Sequence, residues 1–139
     1  MKKERRNKGF TLMELLVVIG IIALLSGLLS VSYNAAQKRG RDSRRRSDMK
    51  AVQESLEQYY VENSYVYPTG DCGDAGDYIK GAWPSIDPTG EDYDGMAACS
   101  ATSYCICGEM EVENTGNSVD SSCTWSGGDL NYYCVENLQ

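Results

Sequence analysis

The sequence predicts an α+β fold: one long N-terminal α-helix carrying a small antiparallel β-sheet head. Three observations predict it. An uncharged apolar run passes without a break into a stretch of helical periodicity, glycine and proline concentrate beyond residue 63, and all six cysteines lie in that later part. A chain of 139 residues has room for one domain plus one appended element, not for two full domains.

The helix comes first in the chain. Residues 15–37 are 23 consecutive positions without a charge, enough to cross the roughly 30 Å of bilayer hydrocarbon as a helix. Beyond them Ala51, Val52, Leu56, Tyr59 and Tyr60, with Met49 before them, recur at steps of three and four, with Lys50, Gln53, Glu54, Glu57 and Gln58 between. That is the spacing of a helix with one apolar face. The first proline is Pro68. One helix is therefore expected from about Phe10 to Glu62, with Gly40 as a point of loosening. At 1.5 Å per residue it would be on the order of 80 Å long, more than a head of this size can cover. Its uncovered apolar part needs lipid or other helices.

Charge divides the chain as sharply as hydropathy does. The net −7 combines basic ends of the apolar run (Lys2, Lys3, Arg5, Arg6 and Lys8 before it, seven basic residues in 38–50 after it) with sixteen acids and one Lys80 from residue 51 onward. Both flanks of the run being basic, charge alone does not orient it in a membrane. So acidic a head argues against a general nucleic-acid binder. The run of Arg39, Arg41, Arg44, Arg45 and Arg46 has three readings: DNA phosphates, acids of neighbouring subunits, or solvation of the helix. The second and third are favoured.

Ten of the fourteen glycines and all three prolines follow residue 63, which reads as loops and short strands. The strand candidates are 103–112 and 131–136, with 122–125 a weaker third. Cys72, Cys99, Cys105, Cys107, Cys123 and Cys134 are even in number, in a segment too small for a large core. They are expected to form disulfides in an oxidising compartment. Zinc is disfavoured because no Cys-x-x-Cys pair and no histidine is present. Cys105 and Cys107 face the same side of a strand and are not expected to bond to each other. A Cys123–Cys134 link across the last hairpin is the expectation among fifteen pairings.

The residues just before the apolar run are the most specific signal. They read Lys8-Gly9-Phe10-Thr11-Leu12-Met13-Glu14: a basic head, a glycine-aromatic step, then a carboxylate four residues on. This resembles the type IV prepilin signal shared by type IV pilins and type II secretion pseudopilins. The resemblance implies a leader at 1–9, cleavage by a prepilin peptidase between Gly9 and Phe10, and methylation of the new amino group. It divides the rest into an apolar filament-core half at 10–37, an amphipathic half at 38–66 and a disulfide-stabilised head at 67–139. Glu14 fits on physical grounds too. A carboxylate moved to the bilayer centre costs about 2.5–3.5 kcal/mol and so calls for a partner. The Phe10 ammonium made by cleavage is one, and it can serve a neighbouring subunit. Filament packing then falls to the apolar face from Leu12 to Leu29, chiefly Leu12, Leu15, Leu16, Val17, Val18, Ile19, Ile21, Ile22, Leu24 and Leu25.

A second stretch, from Ala35-Ala36-Gln37 through Arg41-Asp42-Ser43-Arg44-Arg45 and Tyr59-Tyr60 to Tyr67-Pro68-Thr69, resembles the helix-to-loop junction of the major secretion pseudopilins. The cysteines depart from that group and look more like disulfide-bearing type IV pilins. The implied role is a structural subunit, first a single-pass precursor in the inner membrane and then part of an extracellular pilus. The implied partners are copies of itself, minor pilins, the prepilin peptidase and the inner-membrane assembly platform; DNA is a further candidate. A periplasmic secretion pseudopilus is the alternative. Calcium is a candidate ligand of Asp87, Asp92 and Asp94, in a loop resembling part of an EF-hand, although Gly90 stands where its first aspartate belongs. A solvated acidic loop is the favoured reading. Ordinary signal-peptidase cleavage at Ser30-Val31-Ser32 and a monomeric anchored binding domain are disfavoured readings, and so is an enzyme. Against an enzyme stands the lack of any histidine or nucleophile–base motif.

Overall fold

The computed structural model describes residues 9–96 and 98–139, with the side chains of 28–32 outside that description. Most of the expected leader, the end of the apolar face at Leu29 and the Ser30-Val31-Ser32 site therefore lie outside the described residues or side chains. By element order the chain is α1 (Leu12–Glu62), a 3₁₀ helix (Cys72–Tyr78), β1 (Cys105–Glu109) and β2 (Tyr132–Glu136), an α+β pilin fold. It divides into two compact units, one ending at Ala36 and one running from Gln37 to the C-terminus.

In the first unit, α1 begins where Thr11 caps it. The Thr11 hydroxyl accepts the Glu14 N–H at 3.2 Å, and a Glu14 carboxylate oxygen accepts the Thr11 N–H at 2.8 Å. This reciprocal pairing satisfies two amide groups that the first helical turn leaves open. Among the described residues no helix is long and apolar enough to cross a membrane; the run expected to do so includes 28–32.

The second unit forms around the later part of α1, which is continuous through Gly40, with no loosening. Met49, Val52 and Leu56, one helical face, are fully buried against Tyr67, Cys72, Ala75, Tyr104 and Ile106. Beyond Glu62 the helix is stopped by Ser64 and Tyr65, both at left-handed φ (61° and 62°), while the Tyr65 N–H reaches back to the Tyr60 carbonyl. The Asn63 backbone and side-chain N–H groups both donate to the Tyr59 carbonyl, each at 2.9 Å.

The sheet is smaller than the sequence suggests. β1 and β2 pair antiparallel with Cys107 opposite Cys134, and two strands are all it contains among the described residues. Residues 122–125 are not a strand, because Cys123 takes a positive φ of 56° as the loop turns toward β1. Its sulfur joins Cys105, and the remaining pairs are Cys107–Cys134 and Cys72–Cys99. The expected Cys123–Cys134 link is thus corrected. The residues directly opposite on the two strands are Cys107 and Cys134, so Cys134 is already taken. As expected, Cys105 and Cys107 do not bond to each other.

Candidate assembly site

Two groups of residues carry the candidate chemistry, one in each unit. In the first, Gly9 and Phe10 are exposed, Phe10 at 89 %. Each large apolar side chain from Leu12 to Leu25 is at least 49 % exposed within the chain. So much uncovered apolar surface marks a contact face. Glu14 is exposed and its carboxylate is held by Thr11, whose hydroxyl also donates to it at 2.8 Å. Thr11 was not singled out from the sequence, although Thr-x-x-Glu ahead of an apolar run is a helix-start signal.

The second group is a buried ion cluster under the basic run. Arg45 is 3 % exposed and donates to Asp42 at 2.8 Å, to Asp87 at 2.5 Å and to Glu111 at 3.1 Å. Arg41 grips Glu111 with two contacts at 2.5 and 2.6 Å, a planar fork on a carboxylate. Asp42, itself buried, accepts the backbone N–H groups of Glu111 and Val112. Arg46 lies over the Tyr133 ring and donates to the Thr115 carbonyl. The helix and the loops around β1 are therefore joined by charge-assisted bonds across some seventy residues of sequence, as in Asp42 to Val112. Only the Asp42–Arg45 spacing is visible in the sequence; Glu111 has no local signal.

This cluster involves two groups of residues singled out in the sequence. The arginines do not form one open basic stripe, because Arg41, Arg45 and Arg46 turn inward, leaving Lys38, Arg39, Arg44 and Lys50 exposed. Of the calcium candidates, Asp87 has both carboxylate oxygens engaged within the chain. One Asp87 oxygen binds Arg45, and the other closes its own turn by accepting from Thr89, Gly90 and Glu91 at 2.7–3.0 Å. Among the described residues the one group of close metal-type donors is Cys105, Cys107 and Cys123, whose sulfurs are already in disulfides. Asp87 is held below the usual carboxylate range: burial opposes its charge, but Thr89, Arg45 and backbone amides outweigh that. The Arg41 bond draws Glu111 down to about 2.

The tyrosines complete the second unit. Glu57 accepts the hydroxyls of Tyr67 and Tyr104, both at 2.9 Å, and the Leu138 N–H at 3.1 Å. Tyr60 stacks on Tyr67, which meets Tyr104 edge-on at 5.1 Å. Aromatic bodies thus fill a small core while their polar tips stay satisfied.

A capped helix start with bare apolar flanks, together with a small disulfide-tied α+β head, defines the class as pilin-like. A family model for the prokaryotic N-terminal methylation motif matches residues 5–30. Over the full length of both chains, this one is 26 % identical to the type II secretion system core protein G of Vibrio cholerae. It is 36 % identical to the Dickeya chrysanthemi protein of the same name over 70 residues, half of this chain and 45 % of that one. It is also 40 % identical to the type IV wide pilus major component PilA4 of Thermus thermophilus over 60 residues, 43 % of this chain and 46 % of that one. By this motif and these likenesses the chain is similar to pilins and secretion pseudopilins. No solved structure matches it.

Proposed function

We propose that this protein is a structural subunit, cut after Gly9, methylated at the Phe10 amino group and polymerised into an extracellular type IV pilus. The observation that carries this reading is the apolar helix start, uncovered within its own chain and headed by Gly9-Phe10 and Glu14. Before assembly the uncovered side chains rest in the inner membrane; afterwards equivalent helices of other copies replace the lipid. Cleavage creates the Phe10 ammonium, and Glu14 accepts it from a neighbour in a dry interior where an unpaired charge would be costly. Prepilin peptidase, minor pilins and the inner-membrane assembly platform are the partners this process needs. Three disulfides in the head suit a fibre outside the cell.

The second reading is a periplasmic secretion pseudopilus, favoured by the full-length likeness to a core protein G. N-terminal peptide mass spectrometry on filaments sheared from producing cells tests both. A chain beginning at methylated Phe10 in that fraction supports the pilus. The same methylated chain confined to the cell envelope supports the pseudopilus. A chain still beginning at Met1 in assembled material overturns the processing step.

A further inference from the structure

The two disulfides that meet at β1 are unequal in access and close in space. Cys105 and Cys123 are half-buried, whereas Cys107 and Cys134 are buried at 0 % and 2 % exposure. The Cys105 and Cys107 sulfurs lie 3.8 Å apart, and with the Cys123 sulfur all three fall within 4.8 Å of one another. One accessible disulfide is therefore in van der Waals reach of a sulfur belonging to a second, buried one. Thiol–disulfide exchange needs a thiolate, access and a sulfur to attack. Cys72–Cys99 is not part of this group.

We propose that Cys105–Cys123 and Cys107–Cys134 act as one thiol-exchange site, opened by a reductant at Cys105–Cys123 and resolved by attack of Cys123 on Cys107. A dithiol reductant first breaks Cys105–Cys123: its thiolate attacks one sulfur, the other leaves with the electron pair, and its second thiol closes the reductant's own disulfide. Cys105 and Cys123 are then thiols. The Cys123 thiolate attacks the Cys107 sulfur, the Cys107–Cys134 bond breaks, and Cys134 departs as a thiolate that takes up a proton. The product holds Cys107–Cys123, with thiols at Cys105 and Cys134; the two electrons come from the reductant. Cys123 is the attacker because it sits on a loop. Cys105 and Cys107 are fixed side by side on one strand face, with Cβ vectors that do not converge. The loop can thus change its anchor from one position of β1 to the next without β2 leaving β1.

The test uses the full chain in detergent and a phosphine reductant, which gives its electron pair to a disulfide and takes oxygen from water. Reduction at about pH 4, roughly four units below the ordinary thiol pKa, leaves exchange almost stopped. Labelling there with a maleimide and mapping the peptides is expected to mark Cys105 and Cys123. A second aliquot is raised to about pH 8 before labelling, which increases the thiolate fraction roughly 10⁴-fold. Label is then expected to move from Cys123 to Cys134, with a Cys107–Cys123 peptide appearing and Cys72–Cys99 intact. Label remaining on Cys105 and Cys123 at pH 8, first labelling at Cys107 and Cys134, or a Cys105–Cys107 peptide would each overturn the proposal. The variant Cys105→Ser reaches the same state without reductant. At pH 8 it is expected to yield the Cys107–Cys123 peptide and a reactive Cys134; a lone reactive Cys123 beside an intact Cys107–Cys134 would also sink it.

Discussion

The two stretches of α1 invert the usual rule that apolar residues go inside and charges outside. From Leu12 to Leu25, leucines, isoleucines and valines stand exposed; from Gln37, Asp42 and Arg45 are buried, as are Met49, Val52 and Leu56. Polarity alone does not decide burial. The later stretch has partners within its own chain, including carboxylates that match its arginines, whereas the earlier apolar side chains stand uncovered. An uncovered apolar helix face is stable only in another medium, lipid or like helices.

The largest test of this contrast is Arg45→Ala. It strands Asp42 and Asp87 without their cation, and loss of about 3–5 kcal/mol is expected from denaturant unfolding of the detergent-solubilised chain. An unchanged midpoint would show that the cluster does not hold the head together. Next come paired truncations of one chemistry. Leu56→Ala should cost about 2–5 kcal/mol, while Leu16→Ala should stay within about 0.5 kcal/mol in the same assay. Filament yield should separate them the other way, with Leu16→Ala lowering it from a stable subunit. Equal unfolding losses would erase the contrast.

A smaller effect comes from pH. The folded-state values of Asp87 and Glu111 are lowered, so their contribution is complete above the ordinary carboxylate range of about 4 and fades as pH falls toward about 2 for Glu111. Urea midpoints of the head should decline over that window, and the decline should flatten in Arg45→Ala. A wild-type profile no steeper than the variant's would count against the cluster. The most local effect is expected of Thr11→Ala, about 1 kcal/mol confined to the helix start. Amide exchange should quicken across the first turn and nowhere in the head.

What the sequence made legible follows from the range of the forces involved. The helix was readable because its determinants are local: three- and four-residue spacing and no proline before Pro68. The disulfide state was readable from the even cysteine count, but the partners were not, because pairing depends on which loop reaches which face of β1. Glu111 and Asp87 meet Arg45 over separations of 66 and 42 residues, for which no periodicity exists to read. In the first unit Thr11 was legible and overlooked, since its neighbours Gly9, Phe10 and Glu14 already supplied a reading of the same residues.

The arginine cluster and the apolar core grip one helix at two levels, and this sets its angular phase. Arg41 and Arg45 engage the loops about two turns and one turn before Met49, which with Val52 and Leu56 engages the sheet and tyrosines. One inserted residue between Arg46 and Met49 would rotate one level against the other by about 100°. Seven would restore the azimuth to within about 20° and still displace the two levels by about 10 Å. The segment thus works as a two-pin key, tolerant of changes on its outer face and intolerant of any change in length between its pins.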